Sequence, residues 1–454
     1  MLFRSKVTPS GLADITLAYA GPLNDSKLAK ISVAANLKQV SLTGEKIPGP
    51  ITDMTGKITY SPKGVSWQNL RGTFQGTTYT LNGRIDDLKE PTIETSIDST
   101  DLNVTAAVKS REGIYKILSL KGTYFDSSFD VKGNYIPGEG NPEANLSGHI
   151  NLRLENLTTL IPSIKKSIGS SKPAGAVALD ATFNGKLKDW RNSQITVSGE
   201  SQAVSLYGFK LNDVSLEFKH GKNPTSQLDI AAQFYNGPLH LTSFIDPRRK
   251  DLPMTLAANL TDTNLEQLAK DIKAKGKTEE LKGNLAINLN LEGPLTETAK
   301  WRGQGSAAIT DGNIFKFNLL KGIWRTMLIP EFEDIMFTHA RTNFEIRSKR
   351  LVTRDLVLSS SAVDLSAVGW IDFDQNVNMN VNPQFKELTI LQSASLKKGP
   401  TAILAQAQDY INIKISGTLQ KPSYNVSTQP VKVLEKTTGS IIEGVTGIFE
   451  DIIN

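Results

Sequence analysis

The sequence predicts a mostly-β chain of many short antiparallel strands, each with one apolar and one polar face, plus a few short helices and a C-terminal amphipathic helix. Two observations carry this. First, side chains alternate almost without error in the C-terminal third: Val363, Leu365, Ala367, Gly369, Ile371 and Phe373 interleave with Asp364, Ser366, Val368, Trp370 and Asp372. After a turn at Asp374 and Gln375, Val377, Met379 and Val381 alternate with four asparagines, and Ile411, Ile413 and Ile415 alternate with Asn412, Lys414 and Ser416. A strand turns successive side chains to opposite faces, so this period of two reads as half-buried sheet. Second, turn residues recur every 8–12 positions or so, the spacing of an all-β protein.

Taken in order, Leu12 to Tyr19 reads as a strand ended by Gly21-Pro22, and Ile31 to Leu42 as another, ended by Ile47-Pro48-Gly49-Pro50. A compact series follows from Gly56 to Ile97, punctuated by Ser61-Pro62-Lys63-Gly64, Gly76 and Pro91. More strands occupy Ile114 to Tyr135 and Leu146 to Leu154. Leu157, Leu160, Ile161, Ile164 and Ile168 then fall at helical spacing, so a short helix closes a first segment, 1–170, and Ser170 to Gly175 links it to a second, 171–300. In the second segment Leu228, Ile230, Ala232 and Phe234 form one face, and Leu285, Ile287, Leu289 and Leu291 another. A helix is expected over 263–273 with Asp262 as its N-cap. Ser99-Thr100-Asp101-Leu102-Asn103 and Leu260-Thr261-Asp262-Thr263-Asn264 form a faint internal repeat. A third segment, 301–426, holds the clearest strands around a helical insert at 315–337. Residues 431–454 carry a stripe from Leu434 through Ile441, Val445 and Ile448 to Ile452, which a helix would lay against the end of the sheet or against a membrane.

Composition narrows the function. The 51 Lys and Arg are scattered among 46 Asp and Glu, so the net charge of +5 does not point to nucleic acid. Hydrophobic residues make up 39% and charged residues 21%, which suits a folded chain, and with aromatics at 7% its buried surface is mainly aliphatic. The absence of Cys excludes disulfides, thiolate metal sites and Cys nucleophiles. His149, His220, His240 and His339 lack a partner at metal-ligand spacing. Gly276-Lys277-Thr278 resembles the tail of a phosphate loop, but Asp271 stands where that loop needs its first glycine. The acidic pairs Asp86-Asp87 and Glu279-Glu280 lie in turn-like stretches. The expectation is a chain that is not an enzyme and takes no cofactor or metal. No apolar run reaches the ~20 residues of a membrane-spanning helix. Met1 to Lys6 is too short and polar for a signal sequence, so Met1 is expected not to be the natural start.

The C-terminal third resembles the AsmA-like family of Gram-negative envelope proteins, whose larger relatives include TamB and YhdP. Gly303-Gln304-Gly305 through Ile309-Thr310-Asp311-Gly312-Asn313-Ile314 resembles the family's G-x-G-x-x-x-I-x-D-G-x-I segment. Phe344-Glu345-Ile346 through Asp355-Leu356-Val357-Leu358-Ser359 resembles its F-x-I…D-L-x-L-x-S run, with Lys349 or Arg350 where a glycine is usual. Gly369-Trp370-Ile371-Asp372-Phe373 and Ile415-Ser416-Gly417-Thr418-Leu419-Gln420-Lys421-Pro422 resemble the G-x-I-D-L and closing I-x-G-T-L-x-x-P segments. Together these cover about 125 residues.

What the resemblance implies is an elongated, curled β-sheet whose apolar groove shelters acyl chains. The protein would sit in the periplasm, tethered to the inner membrane through an N-terminal segment missing from this chain. It would support phospholipid transfer and outer-membrane lipid homeostasis, with phospholipid acyl chains and the inner or outer membrane, or their proteins, as partners. The candidate lining is Val363, Leu365, Ile371, Phe373, Val377, Met379, Val381, Ile411, Ile413 and Ile415, with Leu228, Ile230, Phe234, Leu285, Ile287 and Leu289. Pattern alone favours a closed sandwich, packed sheet on sheet, and it is the resemblance that turns the expectation to an open groove. Two other functions fit the same texture: an assembly factor for outer-membrane proteins, and a passive β-solenoid scaffold or adhesin.

Overall fold

The computed structural model of the chain describes residues 7–22, 30–44, 47–138, 140–160, 171–221, 223–271, 282–313, 322–323, 335–386 and 411–428. Among these residues, 24 strands belong to one open antiparallel sheet and the helices are short, the fold class that the alternation predicts. The first run of strands is β1 (Val7–Ala20), β2 (Lys30–Gly44), β3 (Ile51–Ser61), β4 (Gly64–Phe74), β5 (Thr77–Asp86), β6 (Thr92–Asp98), β7 (Leu102–Arg111), β8 (Ile114–Tyr124), β9 (Ser127–Ile136), β10 (Glu143–Arg153), β11 (Ala174–Lys186) and β12 (Gln194–Leu206). Each pairs with the next in sequence. After β13 (Phe209–His220) and β14 (Ser226–Phe234) comes a second run: β15 (Gly237–Ile245), β16 (Pro253–Asn264), β17 (Lys282–Pro294), β18 (Arg302–Asn313), β19 (Phe337–Arg347), β20 (Arg350–Ser360), β21 (Val363–Asp372), β22 (Asn376–Phe385), β23 (Ile411–Thr418) and β24 (Pro422–Thr428). It also pairs neighbour to neighbour.

The chain divides into two compact units: Met1–Tyr207 with Asp213–Ser226, and Gly208–Asn212 with Gln227–Asn454. The boundaries expected at 170 and 300 lie between consecutive strands that pair with each other. β10 pairs β11 across the first, and β17 pairs β18 across the second.

Tight turns make the meander. Gln75-Gly76, Glu112-Gly113, Tyr207-Gly208 and Tyr235-Asn236 each place two successive residues at positive φ. That is the hairpin geometry whose twist matches the flanking strands. Ser348-Lys349 does the same at φ 48° and 59°, a left-handed backbone that glycine adopts most readily. Bulges add a second kind of irregularity. Gln39, Asp53 and Asn69 lie inside β2, β3 and β4 at positive φ, each where the ladder register shifts. Gly11 faces the first of them so closely that a Cβ there would stand 2.6 Å from the Gln39 carbonyl oxygen. Stacked bulges on successive strands concentrate bending and twist.

The described residues include the α-helices α1 (Leu157–Leu160) and α2 (Leu265–Asp271) and short 3-10 helices at Leu154–Asn156, Leu187–Asn192 and Thr298–Lys300. The Asn264 side-chain oxygen accepts the Gln267 N–H at 2.9 Å, so Asn264, not Asp262, caps α2. Asp262 is instead a bulge residue within β16, at φ 50°, and the ladder shifts register between Leu260 and Thr263. Its supposed counterpart Asp101 lies in the β6–β7 turn, accepting the Phe125 N–H on its carbonyl, so the faint repeat joins two unlike sites. The expected C-terminal helix, most of the insert at 315–337, and the rest of the helices expected beyond Leu160 and Asp271 lie outside the described residues.

Candidate functional site: an apolar sheet face

Opposed residues of an antiparallel ladder share a face, so the register traces each face from strand to strand. In the first unit one row runs Leu17, Val33, Tyr60, Val65, Ile85, Ile93, Val108, Ile117, Gly133, Leu146, Phe183, Ile195. It crosses all twelve strands, and the Tyr60 phenol is the one polar group among its side chains. At ~4.8 Å per strand the row is about 50 Å long. A parallel row on the same face, Leu70, Leu81, Ile97, Val104, Gly122, Phe129, Ile150, Leu179, widens it.

The other face is wet. Asn82, Ser96, Thr105, Lys121, Asp130, His149, Asp180 and Ser198 oppose one another in turn. Lys121 pairs with Asp130 at 3.0 Å, His149 with Asp180 at 3.0 Å, and Arg84 with Glu94 at 3.0 Å. Exposed pairs of this kind contribute little stability, but they keep that face in water.

Among the described residues no protein layer closes over the apolar row. None of its twelve members is buried; most are half-buried by their own neighbours, and Leu17 is 66% exposed. Among the described residues of this unit the buried hydrophobic side chains are Val40, Met54, Ala144, Val177 and Val204, none of them in the row.

The second unit differs. Its ladders bring most of the expected lining residues onto one face: Leu289, Gly305, Phe344, Thr353, Gly369, Met379, Ile415 and Tyr424 form one row, and Leu285, Ile309, Ala340, Leu358, Leu365 and Pro383 another. Ile287, Ile371, Val377, Val381 and Ile413 share that face. This part of the face is covered. Val363, Leu365, Val377, Met379, Val381, Ile411, Ile413 and Ile415 are all 0–4% exposed and form one core with Ile323 and Phe337. Ile371 packs against that core, whereas Phe373 sits exposed in the turn after β21, its N–H donating to the Lys349 carbonyl. Leu285 and Phe234 lie against a smaller core under α2, made by Tyr235, Leu265 and Leu268. Leu228 and Ile230 are half-buried on β14. The lining residues named from the sequence therefore lie where protein fills the face, and none of them lies in the first unit, where the row is half-buried or exposed.

A latch holds α2 in place. The Tyr235 hydroxyl donates to Asp271 at 2.9 Å, and Lys210 pairs with the same carboxylate at 3.0 Å. The Lys210 bond, then the Tyr235 bond, hold the Asp271 carboxyl below its usual range, while burial pushes the Tyr235 phenol up.

On the wet face of the second unit lies a cleft of about 430 Å³, lined by Asn288, Asn290, Gln304, Ser306, Asn343 and Asp355 among others. Burial pushes the Asp355 carboxyl up. Hydrogen bonds from the Asn343 amide and backbone N–H and from the Thr342 and Thr353 hydroxyls outweigh it and hold the group below its ordinary value. A depressed carboxylate contributes stability that is present above its unfolded pKa and lost as pH falls through the folded one. Asp355→Asn is therefore expected to lower the urea midpoint at neutral pH and to differ less from the parent chain at about pH 3, below the ordinary carboxylate value.

The histidines do not converge. His220 is buried, bonded to the Arg191 carbonyl and the Ser226 hydroxyl at 2.9 Å each, and among the described residues no three His, Asp or Glu side chains cluster as metal ligands. Among those residues no helix is long and apolar enough to cross a membrane. Comparison of the chain with protein-family models, with curated proteins and with solved structures gave no match.

Proposed function

We propose that this chain is an AsmA-like envelope protein that shelters acyl chains on the open apolar face of its first unit and so supports phospholipid movement between the membranes of a Gram-negative cell. The observation that carries the reading is the twelve-strand apolar row, uncovered among the described residues and backed by a face of ion pairs and hydroxyls. Leaving acyl chains in water costs ~0.8 kcal/mol per CH₂, on the order of 20 kcal/mol for two long tails. An aliphatic row that repeats every strand removes much of that cost at each step. It holds no step much more tightly than the next, which suits sliding better than capture.

A second reading rests on β1. Leu12, Ile15 and Leu17 are exposed on this strand, whose described ladder joins it to β2 alone. A long apolar edge invites pairing with another strand, as an outer-membrane assembly factor would require. The test is solvent extraction and mass spectrometry of the purified chain. Phospholipid is expected to co-purify at about one molecule per chain or more. A lipid-free chain of unchanged fold would overturn the lipid reading, and crosslinks from β1 to nascent barrel strands would then favour the second.

A further inference from the structure

Alternate connections of a meander emerge on the same rim of the sheet. In the first unit the β7–β8, β9–β10 and β11–β12 connections are neighbours on one rim, spread over four strand spacings, about 20 Å. Ordinary turns are polar, with Gly, Asn, Asp and Ser supplying the backbone conformations. These three, with the strand ends that flank them, carry Ile114 and Tyr115 at the start of β8, Ile136 at the end of β9, and Leu187 and Trp190 between β11 and β12, every one of them exposed, with Trp190 at 44%.

The patch is held in place. The Leu187 N–H donates to the Pro142 carbonyl at 2.9 Å, and the Lys188 N–H to the Asn141 side-chain oxygen at 3.2 Å, which ties two of the connections together. Tyr115 and Tyr135 stack with ring centres 6.2 Å apart, and the Arg191 guanidinium stands 5.7 Å from the centre of the Trp190 ring. Water does not reward ordering a tryptophan and a leucine at a turn.

We infer that this rim seats the protein on a lipid bilayer surface, with Leu187, Trp190 and Ile114 entering the boundary between headgroups and acyl chains. Three features favour a bilayer over a protein partner. The apolar side chains come singly or in pairs from separate connections, a spacing that a soft surface accommodates and a rigid complementary protein patch does not need. The residue types are those of the membrane interface, where Trp and Tyr sit at headgroup level and long basic side chains reach past them to the phosphates. Lys186, Lys188 and Arg191 flank Trp190, against Asp189 alone within that connection, a mild excess of positive charge that suits an anionic or zwitterionic surface. The inference deepens the lipid reading by naming where the protein meets its membrane, yet it concerns a different surface and has a separate test.

That test is flotation of the purified chain with vesicles of phosphatidylcholine containing a minority of phosphatidylglycerol. The parent chain is expected to float. The triple variant I114S/L187S/W190S is expected to lose binding by on the order of tenfold, and Tyr207→Ser, which alters a side chain 63% exposed on the opposite rim, to float like the parent. Because apolar burial dominates, moderate salt should change binding only a few-fold. A parent chain that stays with the protein fraction, or a triple variant that floats undiminished, overturns the inference. The lipid content of the triple variant, measured by extraction, is expected to equal the parent's. Retained lipid with lost flotation confirms rim and trough as separate surfaces, whereas flotation by a chain that carries no lipid would sink the trough alone.

Discussion

Placing a carboxylate at Val108 is expected to release the lipid that we propose lies on the open row. Val108 stands in the middle of the open row, opposite Ile93 on one side and Ile117 on the other, and is half-buried. On the proposed lipid reading an aspartate there would meet acyl chains with no cationic partner across either ladder. Burying an unpaired ionised group costs several kcal/mol or forces its neutralisation, and both outcomes count against lipid. Val108→Asp is expected to lower co-purified phospholipid by tenfold or more, with circular dichroism unchanged because backbone pairing is untouched. The matched control is Thr105→Asp. Thr105 is exposed on the wet face between Ser96 and Lys121, and this variant should keep its lipid. If Val108→Asp retains the parent's lipid while Thr105→Asp behaves the same, acyl chains do not lie on this row.

The second large effect is on stability, in the other unit. Leu365 is 0% exposed and packs in the core with Val363, Ile413 and Phe337. Truncating a buried leucine removes its transfer free energy and leaves a cavity, together about 2–5 kcal/mol. Leu365→Ala is expected to lower hydrogen-exchange protection of β21, β22 and β23 by roughly that amount. Leu17→Ala, on a side chain mostly in water, should fall within about 0.5 kcal/mol of the parent. Equal losses at the two positions would mean that the open row of the first unit is packed by protein after all.

This contrast also explains what the sequence could and could not disclose. The alternation from Val363 to Phe373 is legible because β21 runs ten residues without a bulge, so its parity never changes. In β4 the apolar face is Val65 and Trp67 on one side of Asn69, then Leu70, Gly72 and Phe74 on the other. One extra residue switches odd to even. The same break falls in β2 between Leu37 and Val40 and in β8 between Ile117 and Leu120. A period of two counted along such strands cancels itself, and the longest apolar row in the molecule went unseen. Aligning strands through their turns, Gln75-Gly76 and Glu112-Gly113 among them, would have recovered it. What covers a face is a separate matter. Ile323 is remote in sequence from Leu365 and Ile413, and nothing in the alternation of those strands encodes its arrival over them. Asp262 misled for a related reason: a short acidic side chain suits a helix cap and a left-handed bulge alike.

Every described ladder within each of the two runs joins strands adjacent in the chain. Such a molecule can be assembled as it leaves the ribosome or translocon, one hairpin zipping onto the last, with low contact order and small loop-closure cost. It can also be lengthened or shortened two strands at a time, by about 10 Å, without reversing any face. Evolution can thus change the length of such a sheet by duplicating hairpins rather than by redesigning a core.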